Sequence, residues 1–244
     1  MNNTLGQDLS GKNVVVIGGT SGIGLATAAA AARLGANVWA VGRSAAHIEK
    51  ARSQLGEQVQ IESADTHDQE ALKALFTRVG KIDHLVSAAT GASRTLKPFI
   101  EQTDEQFQEA FGKLWGYSKV VRCGVPFMSQ EGSITLVSGA PARKLKANSS
   151  VLSCVGAAVE NLVRCLAIEL APIRVNVVSP GIIDTALFDG LGDKRDAAVA
   201  GMVKGQLIER VGRPEEVASA LIYLMHNGYA TGTTVDVDGG QLLR

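Results

Sequence analysis

Four glycines fall within the seven residues Gly18-Gly19-Thr20-Ser21-Gly22-Ile23-Gly24, between the apolar run Val14–Ile17 and a helical stretch from Gly22 to Leu34. A strand that turns this tightly into a helix needs residues without a Cβ. Gly18 allows the turn, Gly22 lets backbone approach a ligand, and Gly24 permits close helix–sheet packing. The new helix presents unpaired N–H groups and its positive dipole end, which suits a pyrophosphate. A tight βα turn with no ligand is the plainer alternative, but the strand–turn–helix context favours a dinucleotide site.

The rest of the chain repeats this alternation. Val38–Val41, Val59–Ile61, Ile82–Val86, Ile134–Val137, Val175–Val178 and Thr233–Val237 read as further strands. Helical stretches fall at Ala45–Leu55, Asp68–Val79, Thr103–Met128, Ser149–Leu170 and Pro214–His226. Continuous rather than alternating apolar strands imply a sheet covered on both faces, and β/α alternation implies a parallel sheet with right-handed crossovers. The expectation is α/β: a single doubly wound Rossmann-type domain over residues 1–244, with seven parallel strands flanked by helices. Thr103 and Gln106 have capping-box spacing, and Pro214 before Glu215 and Glu216 suits a first helical turn. Asp184–Gln206 reads as a Gly/Asp-rich irregular insertion, long enough to be a substrate lid, with Leu187, Phe188, Leu191, Val199 and Met202 as an apolar wall.

Charge and cysteine usage exclude several classes. Lys and Arg together number 24, as do Asp and Glu, so nothing suggests a nucleic-acid or anionic membrane surface. No run approaches a membrane span in this reading, and the N-terminal residues lack the pattern of a secretion signal. Cys123, Cys154 and Cys165 have no metal-ligand spacing and are expected to be buried thiols in a reducing cytoplasm. His47, His67, His84 and His226 are dispersed, and no metal site is expected.

The end of the second strand bears on cofactor choice. A carboxylate there would bind the adenosine ribose and favour NAD. The chain instead has Val41-Gly42-Arg43-Ser44, in which Arg43 and Ser44 suit a 2′-phosphate, so NADP(H) is preferred over NAD(H).

With these residues in place, the chain resembles the short-chain dehydrogenase/reductase family over essentially its whole length. Gly18 to Gly24 is similar to the family's glycine signature. Asp65, followed by Thr66, matches its adenine-contacting Asp. Ser87-Ala88-Ala89-Thr90 occupies, in altered form, the place of its Asn-Asn-Ala-Gly. Ile173-Arg174-Val175-Asn176 through Pro180-Gly181 resembles its Ile-Arg-Val-Asn…Pro-Gly segment, after which Ile183 and Thr185 fall where the family holds the nicotinamide. Gly212-Arg213-Pro214-Glu215-Glu216-Val217-Ala218 and Val237-Asp238-Gly239-Gly240 also match. The resemblance implies cofactor contacts from Gly18, Thr20, Ser21, Gly22, Ile23, Gly24, Arg43, Ser44, Asp65, Thr66, Ala88, Ala89, Pro180, Gly181, Ile183 and Thr185. It also implies a homodimer or homotetramer built through helices 103–128 and 149–170.

The same resemblance exposes a departure. The family reduces a carbonyl, or oxidises an alcohol, with an Asn-Ser-Tyr-Lys set, in which the Lys makes the Tyr phenol competent near neutral pH. Aligned on Gly156–Ala167, this chain has Leu152 at the Tyr position and Gly156 at the Lys position. Gly139 falls at the Ser position, with Ser138 just before it, and Lys113 at the Asn position. The tyrosines are Tyr117, Tyr223 and Tyr229, so none lies between Ser138 and Pro180. Ser138 and Lys113 are the remaining polar candidates for catalysis. Lys113 has three readings: proton donor, replacement cation near the nicotinamide ribose, or a side chain reaching to solvent. Tyr117, one turn from Lys113, reads as structural. Ser149, Ser150 and Ser153 read as helix-start residues, at least one of them a cap. Cys154 reads as a buried small residue, and Lys144 and Lys146 as solvated. Two functions follow. One is an NADP(H)-dependent oxidoreductase with a divergent proton path, acting on a small apolar carbonyl or alcohol-like substrate. The other is a non-catalytic NADP(H)-binding sensor or silent subunit.

Overall fold

A computed structural model of the chain describes residues 8–89, 95–185, 188, 192, 193 and 195–244. Seven parallel strands form one sheet in the order β3-β2-β1-β4-β5-β6-β7. They are β1 (Asn13–Ile17), β2 (Asn37–Gly42), β3 (Val59–Ser63), β4 (Ile82–Ser87), β5 (Met128–Val137), β6 (Arg174–Pro180) and β7 (Thr234–Val237). The helices are α1 (Gly22–Arg33), α2 (Ala45–Leu55), α3 (Gln69–Val79), α4 (Asp104–Gly124), α5 (Ser150–Glu169), α6 (Arg195–Val203) and α7 (Pro214–His226).

The two faces of the sheet carry separate cores. Val15, Ile17, Leu85, Ile134, Leu136 and Val177 point towards α3, α4 and α5, where they meet Phe76, Tyr117 and Val159. Val14, Val16, Val38, Val86, Val137 and Val178 face α1 and α7, where they meet Ala28, Ala31, Val217 and Leu221. β4 is buried at every position, as expected for a strand with both faces covered. Chain order reverses between β1 and β4, so the crevice outside their carboxyl ends is where an open α/β sheet binds ligands.

Several boundaries differ from expectation for local reasons. α4 stops at Gly124 rather than Met128, because Pro126 enters a 3-10 turn (Val125–Phe127). Met128 instead begins β5 and pairs with Ile82, ahead of a register shift before His84. The segment expected to be irregular throughout contains α6, whose Arg195 pairs with Asp184. Leu187 and Leu191 of that segment, and Thr90, lie outside the described residues. The capping box of Thr103 and Gln106 is present, with both reciprocal bonds formed at 3.3 and 3.2 Å. Pro214 occupies the first turn of α7, and the Glu216 carboxylate accepts the Arg213 N–H at 2.7 Å.

α5 does not follow expectation on two counts. By length and composition it is long and apolar enough to cross a membrane, although its inner side packs within the protein through Val151, Val155, Val159 and Val163. Of the three cysteines only Cys123 is buried; Cys154 and Cys165 are exposed. They are eleven residues apart, three helical turns, and so share the outward face of α5. Ser149 stands at the N-cap of α5 without capping it, because its hydroxyl donates to the Lys146 carbonyl at 2.6 Å. Ser150 accepts from Gln102 at 3.1 Å.

Candidate active site

The glycine turn is packed beyond what any side chain would allow. Gly18 has φ +83°, and a Cβ there would lie 2.6 Å from the Ala89 nitrogen. A Cβ on Gly24 would lie 2.0 Å from the Gly18 carbonyl oxygen, so α1 starts directly against the turn. Backbone bonds hold this arrangement: the N–H groups of Gly18 and Gly19 donate to Val41, and that of Ala88 donates to Ile17. Ser21 is the N-cap of α1 but its side chain makes no capping bond, and Ile23 accepts the Thr27 hydroxyl. The N–H groups of the first helical turn have no acceptors within the helix. Gly22 faces Thr185, whose Cγ2 is 3.2 Å from the place of a Cβ. The Pro180–Thr185 segment is tied down from both sides: Gly181 donates to Val237, and Asp184 donates to Gly212, which also bridges Ile183. The turn, Ala88–Ala89 and Pro180–Thr185 therefore converge on one crevice.

At the end of β2, Gly42 is demanded by its neighbour. A Cβ there would come 2.0 Å from the Thr20 hydroxyl, and Thr20 is itself buried. No carboxylate fits at this position while Thr20 holds its place. Arg43 pairs with Asp65 at 3.1 Å, and Ser44 caps α2 by accepting the His47 N–H. Asp65 also accepts the His67 N–H at 2.9 Å. That bond and the Arg43 guanidinium hold the Asp65 carboxyl below the usual carboxylate range. Thr66 fits because α4 has Gly116 beside it, where a Cβ would lie 2.6 Å from the Thr66 hydroxyl.

The other side of the crevice is built differently. Gly156, the residue matched to the family's Lys, is buried against the 3-10 turn Ala140–Ala142, where a Cβ would come 2.8 Å from that of Ala142. The chain after β5 thus occupies the space beside α5 that a longer side chain would need. Leu152, one turn earlier, is half-buried. Tyr117 is fully buried and donates to the Val137 carbonyl at 3.1 Å, and burial raises its phenol far above the usual range. It is structural, as its place on α4 suggested.

Ser138 and Lys113 do meet. The Lys113 ammonium donates to the Ser138 carbonyl at 3.1 Å and lies 5.5 Å from the Tyr117 ring centroid. It is directed at the carboxyl edge of the sheet rather than out to solvent. The Ser138 N–H donates to Val178 at 2.9 Å, which sets Ser138 beside the Pro180 strand end. Its hydroxyl donates to Glu160 at 3.0 Å.

Glu160 is the residue that reading the sequence missed. Its side chain is 3% exposed and sits one turn after Gly156 on the inner side of α5. Arg143 pairs with it at 3.2 Å, Arg164 approaches to 3.9 Å, and Arg143 continues to Asp236 on β7 at 3.0 Å. The signal was available: Val155, Gly156, Val159, Glu160 and Val163 form one helical stripe, so a carboxylate stands in a buried face and must find partners. Arg164 follows the local i,i+4 rule, but Ser138 at the end of β5 and Arg143 on the β5–α5 loop follow none. Among the described residues no group of His, Cys, Asp and Glu could hold a metal ion.

A doubly wound parallel sheet with a glycine turn at its switch point defines a Rossmann-type dinucleotide fold. The family model described as enoyl-(acyl carrier protein) reductase matches residues 17–241. A short-chain dehydrogenase/reductase of Stachybotrys chlorohalonatus is 36% identical over 97% of this chain and 99% of its own length. L-xylulose reductase of Mesocricetus auratus is 31% identical over 96% of this chain and 98% of its own. Among solved structures, the MalC reductase/Diels-Alderase of Malbranchea aurantiaca is similar with a TM-score of 0.89 at 34% identity, covering 98% of this chain and 100% of that one. A small-chain dehydrogenase in complex with NADPH gives a TM-score of 0.79 at 32% identity, over 96% of this chain and 99% of that one. The chain belongs to the short-chain dehydrogenase/reductase family, a family of oxidoreductases.

Proposed function

We propose that the protein is an NADP(H)-dependent oxidoreductase that transfers hydride to or from a small, apolar carbonyl or alcohol-like substrate without the family's Tyr and Lys. The observation that carries this reading is the glycine turn, where Gly18 and Gly24 admit no Cβ and so bring the start of α1, with its unpaired N–H groups, directly against the turn, as suits a pyrophosphate. Arg43 and Ser44 take the 2′-phosphate, with Arg43 aimed by Asp65; Gly42 removes the carboxylate that would select NAD(H). Asp65 and Thr66 flank the adenine, and Ala88, Ala89, Pro180, Gly181, Ile183 and Thr185 line the way to the nicotinamide. The bound dinucleotide supplies the hydride; the chain positions it and the substrate.

Support for NADP(H) also comes from the structural relative solved with NADPH. Single-turnover oxidation of bound NADPH across ketones, quinones, enones and imines tests the reading. Hydride transfer to any of them supports it. Tight NADPH binding without transfer to any of them overturns it in favour of a silent NADP(H)-binding subunit or sensor, for which the chain packed over Gly156 is the favouring observation.

A homodimer or homotetramer forms through α4 and α5. Their outer faces carry exposed apolar groups in this chain, with Trp115 60% and Ile168 82% exposed. A monomeric mass by light scattering overturns this.

A further inference from the structure

The hydroxyl of Ser138 has its proton committed. An ionised carboxylate can only accept, so the 3.0 Å bond to Glu160 fixes Ser138 as donor to Glu160 and leaves its lone pairs for anything else that approaches. The main chain of the residue is fixed just beyond the carboxyl end of β5, its N–H bonded to Val178 and its carbonyl to Lys113. While Glu160 is ionised, a substrate at Ser138 must therefore bring a donor, as an alcohol does and a ketone does not.

We propose that Glu160, acting through the Ser138 hydroxyl, takes the proton an alcohol substrate gives up as its hydride leaves. The inference rests on the oxidoreductase reading above and names its proton path. The alcohol O–H donates to Ser138 Oγ. As the carbinol C–H hydride is lost to oxidised NADP(H) and the C–O bond closes to C=O, the alcohol proton moves to Ser138 Oγ. The proton of Ser138 moves to Glu160 Oε1, leaving a neutral carboxyl. In the reducing direction both protons retrace the path. Two electrons leave with the hydride and the proton count is unchanged.

Charged groups on the β5–α5 loop, α5 and β7 surround this pair. Arg143, on the β5–α5 loop, and Arg164, on α5, face the carboxylate, while Asp236 on β7 balances Arg143. Lys113 on α4 donates to the Ser138 backbone carbonyl and so holds the main chain beside this hydroxyl. Tyr117 is sealed in the core with its hydroxyl given to Val137. Ser138 is a catalytic residue under this proposal, and Glu160 acts through it.

The test uses the full-length protein with NADP⁺ and a panel of secondary alcohols. Glu160→Gln keeps an acceptor oxygen for Ser138 and fills the same volume, but it cannot take a proton. Single-turnover NADPH formation is expected to fall roughly 100- to 1,000-fold, with NADP⁺ affinity unchanged and the solvent deuterium isotope effect of the wild type lost. The infrared difference spectrum of the wild type on turnover is expected to show a protonated carboxyl that the variant lacks. Should Glu160→Gln fail to fold, Ser138→Ala reads the same step, since it leaves the Glu160–Arg143 pair intact, and the same rate loss is expected. An unchanged rate in either folded variant overturns the proposal. So does a variant whose only defect is a lower melting temperature, which would make Glu160 merely the anchor of Arg143. Absence of hydride transfer by the wild type itself, in either direction, would instead sink the oxidoreductase reading.

Discussion

The two sides of the crevice are constructed on different principles. On the β1–β2 side, close packing of backbone does the work: Gly18, Gly24 and Gly42 each stand where a single methyl group would collide with Ala89, the turn itself or Thr20. On the β5–α5 side, close packing at Gly156 removes space beside the helix, and charge organises what remains, from Lys113 through Ser138 and Glu160 to Arg143 and Asp236. The first side keeps the family's pattern, since pyrophosphate recognition by backbone demands glycine and little else. Under the function proposed above the second side departs from it, since proton transfer can be served by any pair of groups with suitable geometry.

Restoring the family's Lys tests this contrast most severely. Gly156→Lys drives a side chain into Ala142 and buries an ammonium beside Arg143. A loss of roughly 4 kcal/mol in chemical denaturation is expected, with no gain in NADPH turnover even when Leu152→Tyr is added. A stable, faster double variant would show that the two sides are not built apart.

β4 lies at the seam between the sides, and its His84 offers a pH test. The ring is buried and bonded to Ser133 at 2.8 Å, and burial, with Arg174 nearby, lowers its pKa from 6.5 to about 4. Because the folded pKa is depressed, the unfolded chain takes up the proton first. Stability is therefore full above pH 6.5 and falls through the window down to about 4, by up to about 3 kcal/mol. His84→Gln should flatten that acid limb in urea melts taken at pH 7 and pH 4.5. An acid limb unchanged by the substitution would assign it to other groups.

On the cofactor side, Gly18→Ala meets both a positive φ and the Ala89 nitrogen. It should cost about 2 kcal/mol of stability and weaken NADPH binding measured by fluorescence titration. The smallest effect is expected at Arg43. Arg43→Ala should weaken NADPH binding about tenfold, or about 1.4 kcal/mol, while leaving NADH binding within twofold. Equal losses for both cofactors would remove Arg43 from the choice between them.

Local rules carried much of the fold and of the crevice. The apolar runs marked every strand core, though β5 begins six residues before the run that announced it, since Ser129–Ser133 carry no apolar pattern. α6 went unread within Asp184–Gln206 because nine residues rich in Ala and Gly show little helical periodicity. The exposure of Cys154 and Cys165 was likewise invisible in a helix apolar around much of its circumference.

By itself the sequence determined a doubly wound parallel sheet, a glycine turn able to hold a pyrophosphate, and the absence of tyrosine between Ser138 and Pro180. All three depend on residue type and short spacing. Only the tertiary structure decided which polar groups meet on the far side of the crevice. It brought Lys113 of α4, Ser138 at the end of β5, Arg143 of the following loop, Glu160 of α5 and Asp236 of β7 into one network. The physical reason is that a buried carboxylate in a helical stripe announces a need for partners, while the sheet order decides which distant residues meet it.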